Sequence, residues 1–110
     1  MHFSALSQEI TALHAEICSA LADPNRILIL YALSQNPCNV GELATLLDIS
    51  QPSASRHLNL LRERGLAKAH RDGQMVVYSL TDGRVIQALD LLRSVLAEKL
   101  KNQASLADRV

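Results

Sequence analysis

Tryptophan is absent from this sequence, and two tyrosines with one phenylalanine are its whole aromatic complement. The core therefore has to be built from leucine, isoleucine, valine and alanine, a composition that fits packed helices. Glycine is scarce and never clustered, so there is no Gly-rich phosphate loop, and neither grouped carboxylates nor a nucleophile beside a base can be traced. An enzyme is not expected, nor is a cofactor. No apolar run approaches the roughly 20 residues of a membrane span. The N-terminus lacks the charged region, apolar segment and cleavage site of a secretory signal. A cytoplasmic protein without a membrane partner is expected, with its two cysteines as reduced thiols. At 110 residues the chain fits a single domain over 1–110, with a modest core.

What is present concentrates in residues 39–80. Asn39 followed by Glu42 is a capping-box-like start, and Val40, Leu43, Ala44 and Leu47 recur at helical spacing. Asp48 and Ile49 break that pattern, and Ser50 can accept from the amides of a new helix. Ala54, Leu58 and Leu61 then give one apolar stripe until Gly65. Residues 39–64 thus read as helix, turn, helix. The outer face of the second helix carries Gln51, Pro52, Ser55, Arg56, Asn59 and Glu63, with Ser53 at its margin. Short polar side chains at a helix start, with an arginine one turn on, suit a major groove, because amides and hydroxyls reach base edges and arginine reads guanine or phosphate. The plain alternative is a solvated helix face.

Residues 66–80 tip that balance. Leu66 to Arg71 and Gln74 to Leu80 are strand-like runs around Asp72-Gly73, a dipeptide suited to a two-residue hairpin turn. Val76, Tyr78 and Leu80 are expected to face the helices, leaving Lys68, His70, Arg71 and Gln74 on the exposed side or tip of a wing that can follow phosphates or enter the minor groove. The net charge of zero hides an uneven distribution. Residues 1–49 carry −4, residues 50–74 carry +3 and residues 75–110 carry +1, so positive charge gathers where the groove-facing elements lie. Arg62 is assigned to phosphate, and Arg64 to phosphate or solvent. His57, beside the buried stripe, reads as a packed or capping histidine rather than a ligand.

The flanks are helical. Phe3, Leu6, Ile10, Leu13, Ile17 and Leu21 form an amphipathic N-terminal helix within 1–22. Asp23-Pro24 is a cap followed by a first helical position, and the apolar run from Ile27 to Leu33 marks a central core helix that Asn36 and Pro37 stop. After Thr81 and Asp82, which can cap, residues 82–101 form a helix apolar over more than half its circumference, more than one small domain can cover. Residues 102–110 carry little pattern and are expected to fray. The fold class is mostly α with a β-hairpin wing: a winged helix-turn-helix of five to six helices, dimeric through its terminal helices.

The run SQPSASRHLNLLRERGLAKAHRDGQMVVYSL, with the upstream ALADPNRILILYAL, resembles the ArsR/SmtB family of small winged-helix transcriptional repressors over residues from about 4 to about 101. The resemblance implies a homodimer on double-stranded operator DNA, released by an inducing signal. Gln51, Ser53, Ser55 and Arg56 are expected to read bases and Arg62, Lys68 and Arg71 to hold phosphates, with Gln74 among the DNA-contacting residues of the wing. A winged helix that binds protein rather than DNA is the competing class, and it would lack this polar face and basic wing.

Neither of the family's two best-known metal sites is expected. No histidine follows His70, leaving Asp82, Asp90 and Glu98 at the C-terminal helix, and Asn39 and Gly41 stand where the family's paired cysteines lie in the first helix of the motif. Cys18 and Cys38 are the sensor candidates, with three readings. They can be a small buried hydrophobe and an incidental loop residue, a thiol switch, or, with His14 one turn before Cys18, part of a soft metal or metalloid site.

Overall fold

The computed structural model describes residues 2–108, and four of its five α-helices begin where a side chain accepts from a free helix amide. Asp23 accepts from the Asn25 amide at 2.8 Å and opens α2, Pro24–Gln35. Asn39 and Glu42 form a complete capping box, at 2.8 and 3.0 Å, and open α3, Val40–Leu47. Ser50 accepts from Ser53 and opens α4, Gln51–Glu63. Asp82 accepts from the Arg84 amide at 2.9 Å ahead of α5, Arg84–Asp108. Between α3 and α4 the chain turns through Asp48 at φ 55°, a left-handed conformation that aspartate tolerates. Beyond α4 it turns through Gly65 at φ 75°.

The core lies where α2, α4 and the hairpin meet. Ile29, Leu30, Leu43, Leu58 and Leu61 are fully buried, with Tyr78 from the hairpin and Leu89 from α5 closing the sides. α2 is the central helix expected from its unbroken apolar run. The hairpin strands, β1 (Ala67–Asp72) and β2 (Met75–Leu80), are antiparallel, pairing Ala69 with Tyr78 and Asp72 with Met75. Cys38 adds a bridge on the other edge of β2, exchanging both backbone hydrogen bonds with Tyr78 at 2.8 and 3.0 Å.

The structure corrects four expectations. The two central turn residues are Gly73 and Gln74 rather than Asp72 and Gly73, because Asp72 is the last paired residue of β1. Gly73 takes φ 64° and Gln74 stays at negative φ, the form with glycine first. Val76 does not cover the helices. It is 37% exposed because the hairpin runs past the body beyond Tyr78. The N-terminal helix is not continuous: α1, Phe3–Glu16, ends at Ile17, and a 3-10 turn, Cys18–Leu21, leads the chain to α2. Nor does the chain fray at 102, since nothing from there to Asp108 is a proline or glycine and α5 continues. Among the described residues there are thus five α-helices, one 3-10 turn and one hairpin.

α1 buries none of its residues, and α5 from Leu91 through Leu106 is exposed along its length. The radius of gyration, 17.3 Å, well exceeds the roughly 13 Å of a compact chain this size. Two helical arms extend from a small folded body.

Candidate nucleic-acid interface

Because Ala54, Leu58 and Leu61 point inward, the opposite side of α4 is fixed by the 100° step of the helix. Pro52, Arg56, Asn59 and Glu63 run along its centre and all four are exposed. Gln51 and Arg62 are exposed beside this ridge. Ser53 and Ser55 are half-buried on opposite flanks, and the Ser53 amide is already used by the Ser50 cap. By the same step Gln51 and Ser55, one turn apart, share one flank of the ridge, and Ser53 lies on the other flank, nearer Arg56. Asn59, given no role from the sequence, lies on the same central line.

The hairpin register sorts the wing. Cross-strand partners share a face, so Arg71 with Val76 continues the face of Tyr78, while Lys68 with Ser79 and His70 with Val77 lie on the other. Lys68, His70, Arg71 and Gln74 are exposed as expected, and Gln74 sits in the turn itself. Lys68 and Arg71 therefore leave the wing on opposite faces, which suits an edge entering a groove walled by phosphates on both sides. Among the described residues none of Arg56, Arg62, Lys68 and Arg71 forms a salt bridge. Four cations are left to the solvent side.

Two other arginines do not belong to this surface. The Arg64 guanidinium turns back to α1, donating to the carbonyls of Ala15 and Glu16 and to the Ser19 hydroxyl at 2.7 Å. Arg26 donates to the Ala20 carbonyl at 2.7 Å and the Ser19 carbonyl at 3.3 Å, and lies 3.4 Å from His57 Nδ1. Arg64 satisfies carbonyls freed where α1 ends, a role that suits a cation at a helix C-terminus, and Arg26 holds carbonyls of the 3-10 turn that follows. Arg64 is thus neither a phosphate contact nor a solvated residue. His57 has the packed position expected of it.

Known proteins resemble this chain in both sequence and fold. The family described as "Bacterial regulatory protein, arsR family" matches residues 23–69. The HTH-type transcriptional regulator CmtR of Mycobacterium tuberculosis is 38% identical over 95 residues, covering 86% of this chain and 80% of the relative. The chain belongs to the ArsR family of bacterial regulatory proteins. A biofilm growth-associated repressor of Agrobacterium fabrum is 31% identical over 88 residues, covering 80% of this chain and 75% of the relative. The homodimeric winged helix-turn-helix DNA-binding domain of a Mycobacterium bovis protein superposes with a TM-score of 0.75 at 28% identity, covering 87% of this chain and 89% of that one. The fold expected from the resemblance is the one observed, and this ArsR-family member is a DNA-binding transcriptional regulator. The family is one of regulators rather than enzymes.

In this ArsR-family chain the two sensor candidates occupy different surroundings. Cys18 is exposed on the wall of an apolar groove between α1 and α5, about 470 Å³ in volume, shared with Leu13, Ile17, Leu21, Val85, Ala88 and Leu92. Cys38 is half-buried in the bridge to β2, and its thiol donates to the Asn36 carbonyl at 3.2 Å. Burial, then the nearby charge of Glu42, pushes the Cys38 thiol pKa up. Its thiolate, the reactive form, is correspondingly disfavoured. Among the described residues His14, Cys18 and Cys38 are not gathered within the protomer, and no other group of three histidine, cysteine or carboxylate residues is placed to hold a metal. Among them, too, no helix is long and apolar enough to cross a membrane.

Proposed function

We propose that this regulator is a cytoplasmic homodimeric repressor that reads its operator with α4 and grips the backbone with α4 and the wing. Gln51, Ser55 and Arg56 read base edges, Ser53 supports them from the flank, and Asn59 extends the reading surface. Arg62, Lys68, Arg71 and Gln74 hold phosphates. The observation that carries this reading is the exposed polar ridge of α4, flanked by a wing whose cations form no salt bridge among the described residues. The dimer reading is supported by the two arms. α1 buries nothing, and Leu92, Val95, Leu96 and Leu100 on α5 face solvent, an apolar surface that a second copy would cover. Twofold symmetry would then bring two α4 helices to successive major grooves about 34 Å apart.

Of the two thiols, Cys18 is the better placed to receive a signal, being exposed on the groove between the arms, whereas Cys38 is partly covered and held as its thiol. Fluorescence anisotropy with DNA from upstream of the protein's own gene tests the main reading. Tight binding by the parent, with a loss of about 1 to 3 kcal/mol and relaxed preference at one operator position for Arg56→Ala, supports it. Equal binding of operator and random DNA by the parent favours a winged helix that binds protein instead. Operator release by peroxide, polysulfide or arsenite in the parent but not in Cys18→Ser would assign the signal to that thiol.

A further inference from the structure

The folded body holds only the beginning of α5. Val85, Ile86 and Leu89 pack into the core, while every residue from Leu91 to Leu106 is exposed. At the edge of this short foothold sits a polar cluster outside the reading surface and outside the groove. The Tyr31 hydroxyl, from α2, donates to Asp90 Oδ1 at 2.6 Å. Arg93 donates to the same carboxylate oxygen at 3.3 Å, reaches the Tyr31 hydroxyl at 3.5 Å, and lies over the Tyr31 ring, 5.2 Å from its centre. One aromatic side chain of the central helix is thus held by a carboxylate and a guanidinium one turn apart on α5.

The cluster lies on the flank of α5 away from the groove, since Ala88 and Leu92 line the groove whereas Asp90 and Arg93 meet Tyr31. We infer that Tyr31, with Asp90 and Arg93, is a positioning residue that fixes the tilt and rotation of α5 on the DNA-reading body, and so sets the half-site spacing the dimer accepts. The inference rests on the homodimer proposed above. Leverage is the physical reason. The 15 residues that follow Arg93, up to Asp108, extend α5 about 22 Å past the cluster, so a tilt of about 10° moves the far end about 4 Å. That is close to the roughly 3.4 Å rise of one base pair. The apolar foothold is non-directional and permits such tilting, whereas a hydrogen bond to a charged group, closed by a stacked guanidinium, has a defined geometry.

The test uses the full chain and the operator footprinted with the parent, in versions with the half-sites one base pair closer or farther apart. The parent is expected to bind the native spacing in preference to either altered one. Tyr31→Phe, which keeps the ring under Arg93 but removes the hydroxyl, is expected to stay a helical dimer with unchanged half-site sequence preference. Its discrimination between spacings should fall about fivefold, within the worth of one net hydrogen bond. Asp90→Ala should act alike, whereas Asp90→Asn, which keeps an oxygen for Tyr31, should retain most of the parent's discrimination. Should Tyr31→Phe misfold, Asp90→Ala decides alone, because the Asp90 side chain is 54% exposed and bears on no core. Spacing discrimination within twofold of the parent in dimeric, DNA-binding variants overturns the inference while leaving the proposed function intact. A parent that sediments as a monomer overturns the dimer reading and the inference with it.

Discussion

Leu92→Ala perturbs the chain where the folded protomer leaves most apolar surface uncovered. Leu92 stands at the mouth of the α1–α5 groove, and its neighbours along the stripe, Val95, Leu96 and Leu100, are exposed as well. At about 0.8 kcal/mol per buried CH2, the three carbons removed are worth about 2.4 kcal/mol when wholly buried. Leu92 is 62% exposed in the protomer, so the part a partner would cover accounts for about 1.5 kcal/mol per copy, and twofold symmetry makes it about 3 kcal/mol per dimer. The dimer dissociation constant should then rise about 150-fold. Sedimentation equilibrium over a wide concentration range reads this directly, with circular dichroism to show that helix content is kept. Leu46→Ala is the control: this leucine of α3 is 67% exposed but on the helix-turn-helix, so its removal should leave dimerisation unchanged. A Leu92→Ala protein that dissociates within threefold of the parent would refute the seam.

Arg71→Ala should weaken binding to operator and random DNA alike and reduce the slope of log affinity against log salt by about 0.9, one phosphate contact, as measured by salt titration. Arg64→Ala should lower stability by about 1 to 2 kcal/mol in urea denaturation, through loss of its hydrogen bonds to the end of α1, and leave that salt slope unaltered. Asn39→Ala removes one half of the capping box of α3 and should cost about 1 kcal/mol without changing oligomeric state. With Ellman's reagent near pH 8, Cys18 should react before Cys38. Since burial and Glu42 raise the Cys38 pKa, its rate should climb as pH is taken upward and more thiolate forms.

The features read correctly from the sequence are those enforced within a few residues. Asn39 with Glu42, Ser50, Asp23 with Pro24, and Gly65 each satisfy or terminate a helix locally, so their chemistry is visible in the order of the letters. The exposed face of α4 follows from the same kind of information, because three buried apolar positions fix the direction of all the others. The hairpin was legible as a hairpin but not to the residue. Asp72-Gly73 and Gly73-Gln74 are both acceptable turns, and the register that chooses between them also aligns Tyr78 with Ala69 on one edge and Cys38 on the other. That pairing spans 40 residues of chain and leaves no local trace.

By itself, then, the sequence determined the winged helix-turn-helix, its reading helix and the excess of apolar surface on its terminal helices, because periodicity and capping are short-range properties. Tertiary structure decided what each cation serves. Arg56 and Arg64 lie eight positions apart on one element and its cap, yet one faces solvent and the other closes the end of α1. The same holds for the two cysteines, which the sequence could only pair by type: the fold puts one on an open groove and the other in a backbone bridge. It also joined Tyr31 to Asp90 across 59 positions. Such partners are selected by the packing of distant helices, and packing depends on which faces meet, a quantity that no window of sequence contains.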